Sequence, residues 1–147
     1  MKLLPIKQTL EENPEFKDHP DCQETLLMTI HFFHKIGYNP PWIGYYAEKN
    51  GQLVGACAVF KKNLQEGKVE IAYGTFPQFQ NQGIASEMCR QLVILTLETD
   101  LHLKITAHTL PEENYSTKIL RKNGFELLGT IWDEEDGNIW EWVYKKY

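Results

Sequence analysis

The chain reads as an α/β protein in which a mixed, largely antiparallel sheet carries helices packed on it. Three features predict this. Strand-like runs form hairpins at both ends, with Asn50-Gly51 and Asp136-Gly137 at the turns. Two segments, 26–36 and 84–95, repeat apolar residues at helical spacing, and the middle of the chain runs strand, helix, strand, helix. With 147 residues, 42% of them hydrophobic, there is enough chain for one substantial core, so a single domain over residues 1–147 is expected.

The elements follow in order. Pro5, Pro14 and Pro20 make residues 5–20 an irregular lead-in. Asp21 then stands where it can cap a helix carrying Leu26, Leu27, Ile30, Phe33 and Ile36, which Gly37 ends. After the Tyr38-Asn39-Pro40-Pro41 connection, strands 42–47 and 53–60 pair across Asn50-Gly51. A third strand covers 68–75 and breaks at Pro77. A helix over 83–98 places Ile84, Met88, Leu92 and Leu95 on one stripe. A short strand at 101–107 and a helix at 112–123 follow, the latter stopped at Asn123-Gly124, and the hairpin 125–132 with 138–144 closes the chain.

Composition narrows the function. A formal charge of -5 and no Lys/Arg cluster argue against nucleic acid and suit an amine-bearing partner. Cys22, Cys57 and Cys89 are odd in number and widely spaced, which suggests neither a disulfide framework nor a metal site and fits a reducing cytoplasm. No apolar run has membrane-spanning length, and residues 1–10 are too polar for a signal peptide. His31 and His34 are spaced like metal ligands but lack a third ligand nearby, so they read as partly buried helix histidines. No metal is expected.

The chemistry concentrates where strand 68–75 gives way to Phe76-Pro77-Gln78-Phe79-Gln80-Asn81-Gln82-Gly83-Ile84-Ala85. A tight loop that leaves a strand and opens a helix turns unpaired N–H groups, and the positive end of the helix dipole, toward one point. Such a point binds phosphate, and Gly83 and Ala85 let an anion approach the backbone. The run is neither a Walker loop nor a dinucleotide-binding fingerprint, because neither pattern of glycines is present.

Gln80-x-x-Gly83-x-Ala85 after Val69-Glu70-Ile71-Ala72-Tyr73 resembles the pyrophosphate loop of the GNAT acetyltransferases. A second match, from Pro111 to Phe125 with Asn114, Ser116 and a Gly124-Phe125 ending, is similar to that family's later helix and looks most like the ribosomal-protein N-terminal acetyltransferase branch. The resemblance implies a splayed sheet and acetyl-CoA as donor, with no metal. It implies that the backbone of Gln80, Asn81, Gln82, Gly83, Ile84, Ala85 and Ser86 binds the pyrophosphate. Thr75 and Phe76 would pair with the pantetheine arm, a backbone N–H near Phe76 would serve the oxyanion, and Asn114 would help hold the arm. The acceptor is expected to be a primary amine of a small molecule (polyamine, amino sugar or amino acid) or of a protein N-terminus, acetylated directly by a monomer or homodimer.

Amine acetylation needs a base for the nucleophile and stabilisation for the departing thiolate. Glu70 is the base candidate by likeness, although a strand Glu also serves simply by facing solvent or pairing with a Lys. The family's usual acid is a Tyr at the position occupied here by Leu120, which leaves Tyr115, Tyr73 or water. The departure also admits a non-catalytic acyl-CoA-binding sensor or scaffold. Cys89, among Met88 and Leu92, reads as core rather than as a nucleophile. Phe32, Phe33, Tyr38, Trp42, Tyr45 and Tyr46 either line an acceptor cavity or belong to the core, and Trp140 and Trp142 share one strand face.

Overall fold

A computed structural model describes residues 1–61 and 65–145. Its elements are β1 (Lys2–Pro5), α1 (Pro14–Lys17), α2 (Gln23–Ile36), β2 (Gly44–Lys49), β3 (Gln52–Phe60), β4 (Lys68–Thr75), α3 (Ile84–Thr99), β5 (Lys104–Thr109), α4 (Tyr115–Lys122), β6 (Phe125–Asp133) and β7 (Gly137–Tyr144). The strands form one seven-stranded sheet in the order β1-β2-β3-β4-β5-β7-β6. Among the described residues only β4 and β5 pair in parallel, joined by the α3 crossover, and the other pairs are antiparallel. The mixed sheet with flanking helices is the predicted architecture.

Alternation along the strands divides the core between two faces. Met88 of α3 lies against Gly55, whose register partner is Thr75, so odd-numbered residues of β3 and β4 face α3. The Tyr46 hydroxyl bonds to Thr25 and to the Cys22 carbonyl, and Tyr46 pairs with Ala56, so the even-numbered residues face α2. Ile71, Ile105, Met88, Leu92 and Trp142 are all at most 2% exposed between the sheet and its helices. Burying side chains of that size contributes on the order of 1.5–3 kcal/mol each.

Several element boundaries depart from expectation for local reasons. Residues 2–5 are an edge strand, paired Lys2↔Glu48 to Pro5↔Tyr45, too short to show alternation in the sequence. Cys22, not Asp21, precedes α2, because the Asp21 carboxylate accepts from Gln78 Nε2 at 2.6 Å. The β5 strand starts at Lys104 rather than 101, since Asp100 Oδ1 accepts from the His102 N–H in a turn and leaves Leu101 66% exposed. The last helix begins at Tyr115 rather than 112, where Asn114 and Thr117 form a reciprocal capping box. The Asn50-Gly51 hairpin has the two positive φ angles, 54° and 79°, that a type I′ turn requires.

Candidate active site

The sheet opens at its parallel pair. The β4–β5 ladder runs from Lys68↔Lys104 to Ile71↔Ala107 and stops, while β4 continues to Thr75 beside β3 and β5 continues to Thr109 beside β7. The two strands thus part beyond Ala107, as the splayed sheet requires, and the end of β4 presents one edge without a neighbouring strand.

On the α3 face of this opening the chain turns through Pro77–Phe79 into the helix. Asn81 and Gly83 both adopt left-handed backbone, φ 64° and 78°, and a Cβ added to Gly83 would meet nothing within 4 Å. The first intrahelical bond runs from Glu87 N to Gly83 O, so the N–H groups of Ile84, Ala85 and Ser86 have no acceptor inside the helix. The carboxylate of Glu87, in that first turn, is paired with Lys49 at 3.0 Å. The opening keeps its positive end.

A cavity of about 340 Å³ gathers Tyr73, Gly74 and Thr75 from β4, Gln80 and Asn81 from the loop, Ile84 and Ala85 from α3, and Tyr115, Ser116 and Ile119 from α4. Five of the residues expected to meet the coenzyme, Thr75, Gln80, Asn81, Ile84 and Ala85, together with Tyr115, therefore lie in one place. Five others are placed differently. Gln82 and Gly83 are exposed at the loop crest. Ser86 Oγ accepts from Asn123 Nδ2 at 3.1 Å, and Asn114 Oδ1 accepts from the Thr117 N–H at 3.1 Å as the α4 cap. Phe76 is buried, and its N–H donates to Val54 O at 2.9 Å, so that donor is already engaged.

On the α2 face a second hollow, about 400 Å³, has a floor of small residues, Ala56, Ala58, Ala72 and Gly74, and walls that include Met28 and Phe60. Its lining includes Tyr73, Gly74 and Thr75, which also line the first cavity. The end of β4 is therefore a shared partition between two hollows on opposite faces of the sheet. A further hollow of about 360 Å³ beside Phe16, His19 and Gln78 touches none of these three residues.

Farther down β4 on the α2 face, Glu70 meets a residue the sequence reading passed over. His108 Nδ1 lies 3.4 Å from Glu70 Oε1, and His108 Nε2 lies 3.3 Å from Glu141 Oε2. The alternation of Trp140 and Trp142 about Glu141, and of Ile105 and Ala107 about Thr106 and His108, was the signal that places these polar groups together on the face away from α3. Phe32 and Phe60, packed edge to face with ring centroids 4.5 Å apart, line this end together with Trp132, which is 72% exposed.

The remaining candidates fall into place around the core. Leu120 is 1% exposed and packed inside, so α4 offers no hydroxyl there, whereas Tyr115 is 56% exposed at the cavity rim. Burial raises the Tyr73 hydroxyl well above its ordinary range, and its neighbour Cys89 adds to the shift. Burial likewise pushes the Cys89 thiol up to about 12, which keeps it protonated at neutral pH and agrees with its reading as core. Phe33, Tyr45 and Tyr46 are core, while Phe32 is not. Trp140 and Trp142 do share a face, their rings 6.3 Å apart. His31 and His34 are exposed on α2 rather than partly buried, because the α2 stripe that packs inward runs through Leu26 and Phe33. No described helix is long and apolar enough to cross a membrane.

A sheet that parts at its parallel pair beside the open mouth of a helix is the framework expected of an acetyltransferase, and comparison with known proteins agrees on the family. The family model of the acetyltransferase (GNAT) domain matches residues 7–126, and the chain belongs to that family. No curated protein sequence matches the chain at a significant level. Among solved structures it is similar to the aminoglycoside acetyltransferase AAC(6')-Ib in complex with coenzyme A, with TM-score 0.61 and 22% identity over 71% of this chain. That alignment covers 66% of the other chain, just under two thirds of its length. It is also similar to a spermidine N-acetyltransferase chimera of SpeG from Vibrio cholerae and hSSAT, with TM-score 0.70 and 16% identity over 98% of this chain and 95% of that one. At these identities the structural likeness establishes the fold.

Proposed function

We propose that the protein transfers the acetyl group of acetyl-CoA to a primary amine at the parted end of β4, in a ternary complex with no acyl-enzyme. One observation carries this reading: Tyr73, Gly74 and Thr75 line both the helix-mouth cavity and the α2-face hollow, so donor and acceptor can enter from opposite faces and meet there. Holding two reactants in that relation is itself a large part of catalysis. A sensor that only bound the coenzyme has no need of the second hollow.

Acetyl-CoA supplies the acyl group as a thioester. The chain fits it through the free N–H groups of Ile84 to Ser86, the open left-handed Gly83 and the unpaired edge of β4. Glu70, on the acceptor face, takes the role of base toward the incoming ammonium, directly or through water. Tyr73 and Tyr115, two of the hydroxyl residues lining the coenzyme cavity, are the proposed donors to the departing sulfur.

The acceptor we favour is a small molecule with more than one amine, a polyamine or amino sugar. The apolar floor between the partition and Glu70 suits an alkyl or ring body. Beyond it, the hollow around Glu70 and His108 includes the carboxylates of Asp133, Glu134, Glu135 and Asp136, which attract further positive charge. The similarity to aminoglycoside and spermidine enzymes supports the same class, whereas a ribosomal-protein N-terminus rests on the loop and helix motifs alone. The test is thiol release from acetyl-CoA with spermidine, glucosamine, an amino acid and a short peptide as acceptors. Saturable turnover with a polyamine or amino sugar is expected; release no faster than the uncatalysed rate with every amine would refute transfer.

A further inference from the structure

We propose that His108 is a positioning residue of the transfer reaction, which aims the Glu70 carboxylate at the acceptor and holds the proton that the acceptor ammonium gives up. The proposal rests on the transfer reading above and deepens it at the same site. Glu70, His108 and Glu141 come from three adjacent strands, β4, β5 and β7, and their side chains are 24%, 22% and 19% exposed. His108 follows Ala107, the last β5 residue paired with β4, so the imidazole stands where the sheet begins to open. Glu70 is level with Thr106, which places His108 diagonally ahead of it on the side of the opening. Thr106 does not compete for either group, since its hydroxyl donates to Val69 O at 2.8 Å.

The chemistry of the trio distinguishes it from an ordinary surface ion pair, which contributes roughly 0–1 kcal/mol and calls for nothing more than a fixed Lys or Arg. A neutral imidazole donates to one carboxylate and turns a bare lone pair toward the other; the imidazolium donates to both. The arrangement therefore has a place for one mobile proton. Lys68 and Glu66, near the start of β4, line one hollow that opens on Glu70 and His108, and the carboxylates of the β6–β7 turn line a second that shares the same two residues, so charged groups border the pair in both hollows.

The balance of the step is simple. One proton leaves the acceptor ammonium for the Glu70–His108 pair and is later released to water. The freed nitrogen lone pair forms the new N–C bond as the C–S bond breaks, and a second amine proton ends on the departing sulfur, directly or through a cavity hydroxyl.

The experiment compares the native protein with His108→Gln, His108→Ala and Glu141→Gln, using acetyl-CoA and the best amine of the panel above. For His108→Gln we expect kcat to fall about 100-fold, the scale of a lost acid–base partner, with acetyl-CoA Kd within about twofold of native. Glu141→Gln should lose about tenfold, by the same argument applied one group further away. Free imidazoles should restore His108→Ala, and the rescued rate should rise with their basicity. Native turnover with an undiminished His108→Gln overturns this inference alone. So does a loss matched by lost coenzyme binding, or a rescue indifferent to basicity, since either marks a structural role. Absence of turnover by the native protein overturns the transfer reading itself.

Discussion

The two faces of the sheet at the end of β4 are built from different materials. On the α3 face the walls are backbone: left-handed Asn81 and Gly83, the unpaired N–H groups at the start of α3, and the free edge of a strand. On the α2 face they are side chains drawn from distant parts of the chain, with Met28 from α2, Phe60 from β3, Ala72 and Glu70 from β4, His108 from β5 and Glu141 from β7. A phosphate needs many donors at fixed geometry, which a loop and a helix end supply whatever the neighbours are. An amine acceptor is recognised by shape and charge, and these depend on which side chains the topology brings together. The first face suits a partner shared across a family, and the second suits a partner particular to this chain.

Substitutions on one face should therefore leave the other nearly untouched. The largest effect is expected from Glu70→Gln, which removes the proposed base and should lower kcat on the order of 100-fold while acetyl-CoA Kd stays within about twofold. A coenzyme affinity that fell in step would show that Glu70 belongs to the donor side. Next comes Ala72→Phe, which fills the floor of the α2-face hollow from an exposed strand position. Amine KM should rise about tenfold, the cost of roughly 1.4 kcal/mol of lost contact, with coenzyme binding again unchanged. Equal weakening of both ligands would erase the distinction between the faces. The smallest effect belongs to Asn114→Ala. If Asn114 acts as the cap of α4, thermal denaturation should show a loss of about 1 kcal/mol, and calorimetry should show native coenzyme affinity. Native stability with weakened coenzyme binding would instead restore it as a ligand of the arm.

The same contrast explains what the sequence made legible. Strand 68–75, the loop and α3 could be read because backbone demands leave marks on residue type: Gly83 where φ must be positive, Pro77 where a strand must end, Ile84, Met88 and Leu92 where a helix must bury one stripe. The parting of β4 from β5 was visible only through the family resemblance, since neither strand records in its own residues where its ladder stops. His108 was passed over because its partners lie far along the chain, and β-pairing, not sequence spacing, brings them together. Asn114 was noticed but given the family's role, whereas the Thr three residues later marks it equally as half of a capping box. Edge strand β1 was missed because four residues carry too little alternation to stand out from the prolines that follow.

The central claim is that the mouth of α3 holds the coenzyme from the face opposite the acceptor, and calorimetric titration of acetyl-CoA into the native protein and into Gly83→Glu tests it most directly. A left-handed residue at position 83 costs a non-glycine about 1–2 kcal/mol of strain, so Gly83→Ala is measured alongside to separate backbone strain from charge. The account predicts binding by the native protein, a modest loss in Gly83→Ala, and a loss of about 100-fold or more in Gly83→Glu, where a carboxylate meets the pyrophosphate. Native protein that binds no acetyl-CoA, or a folded Gly83→Glu that binds as well as native, would contradict it.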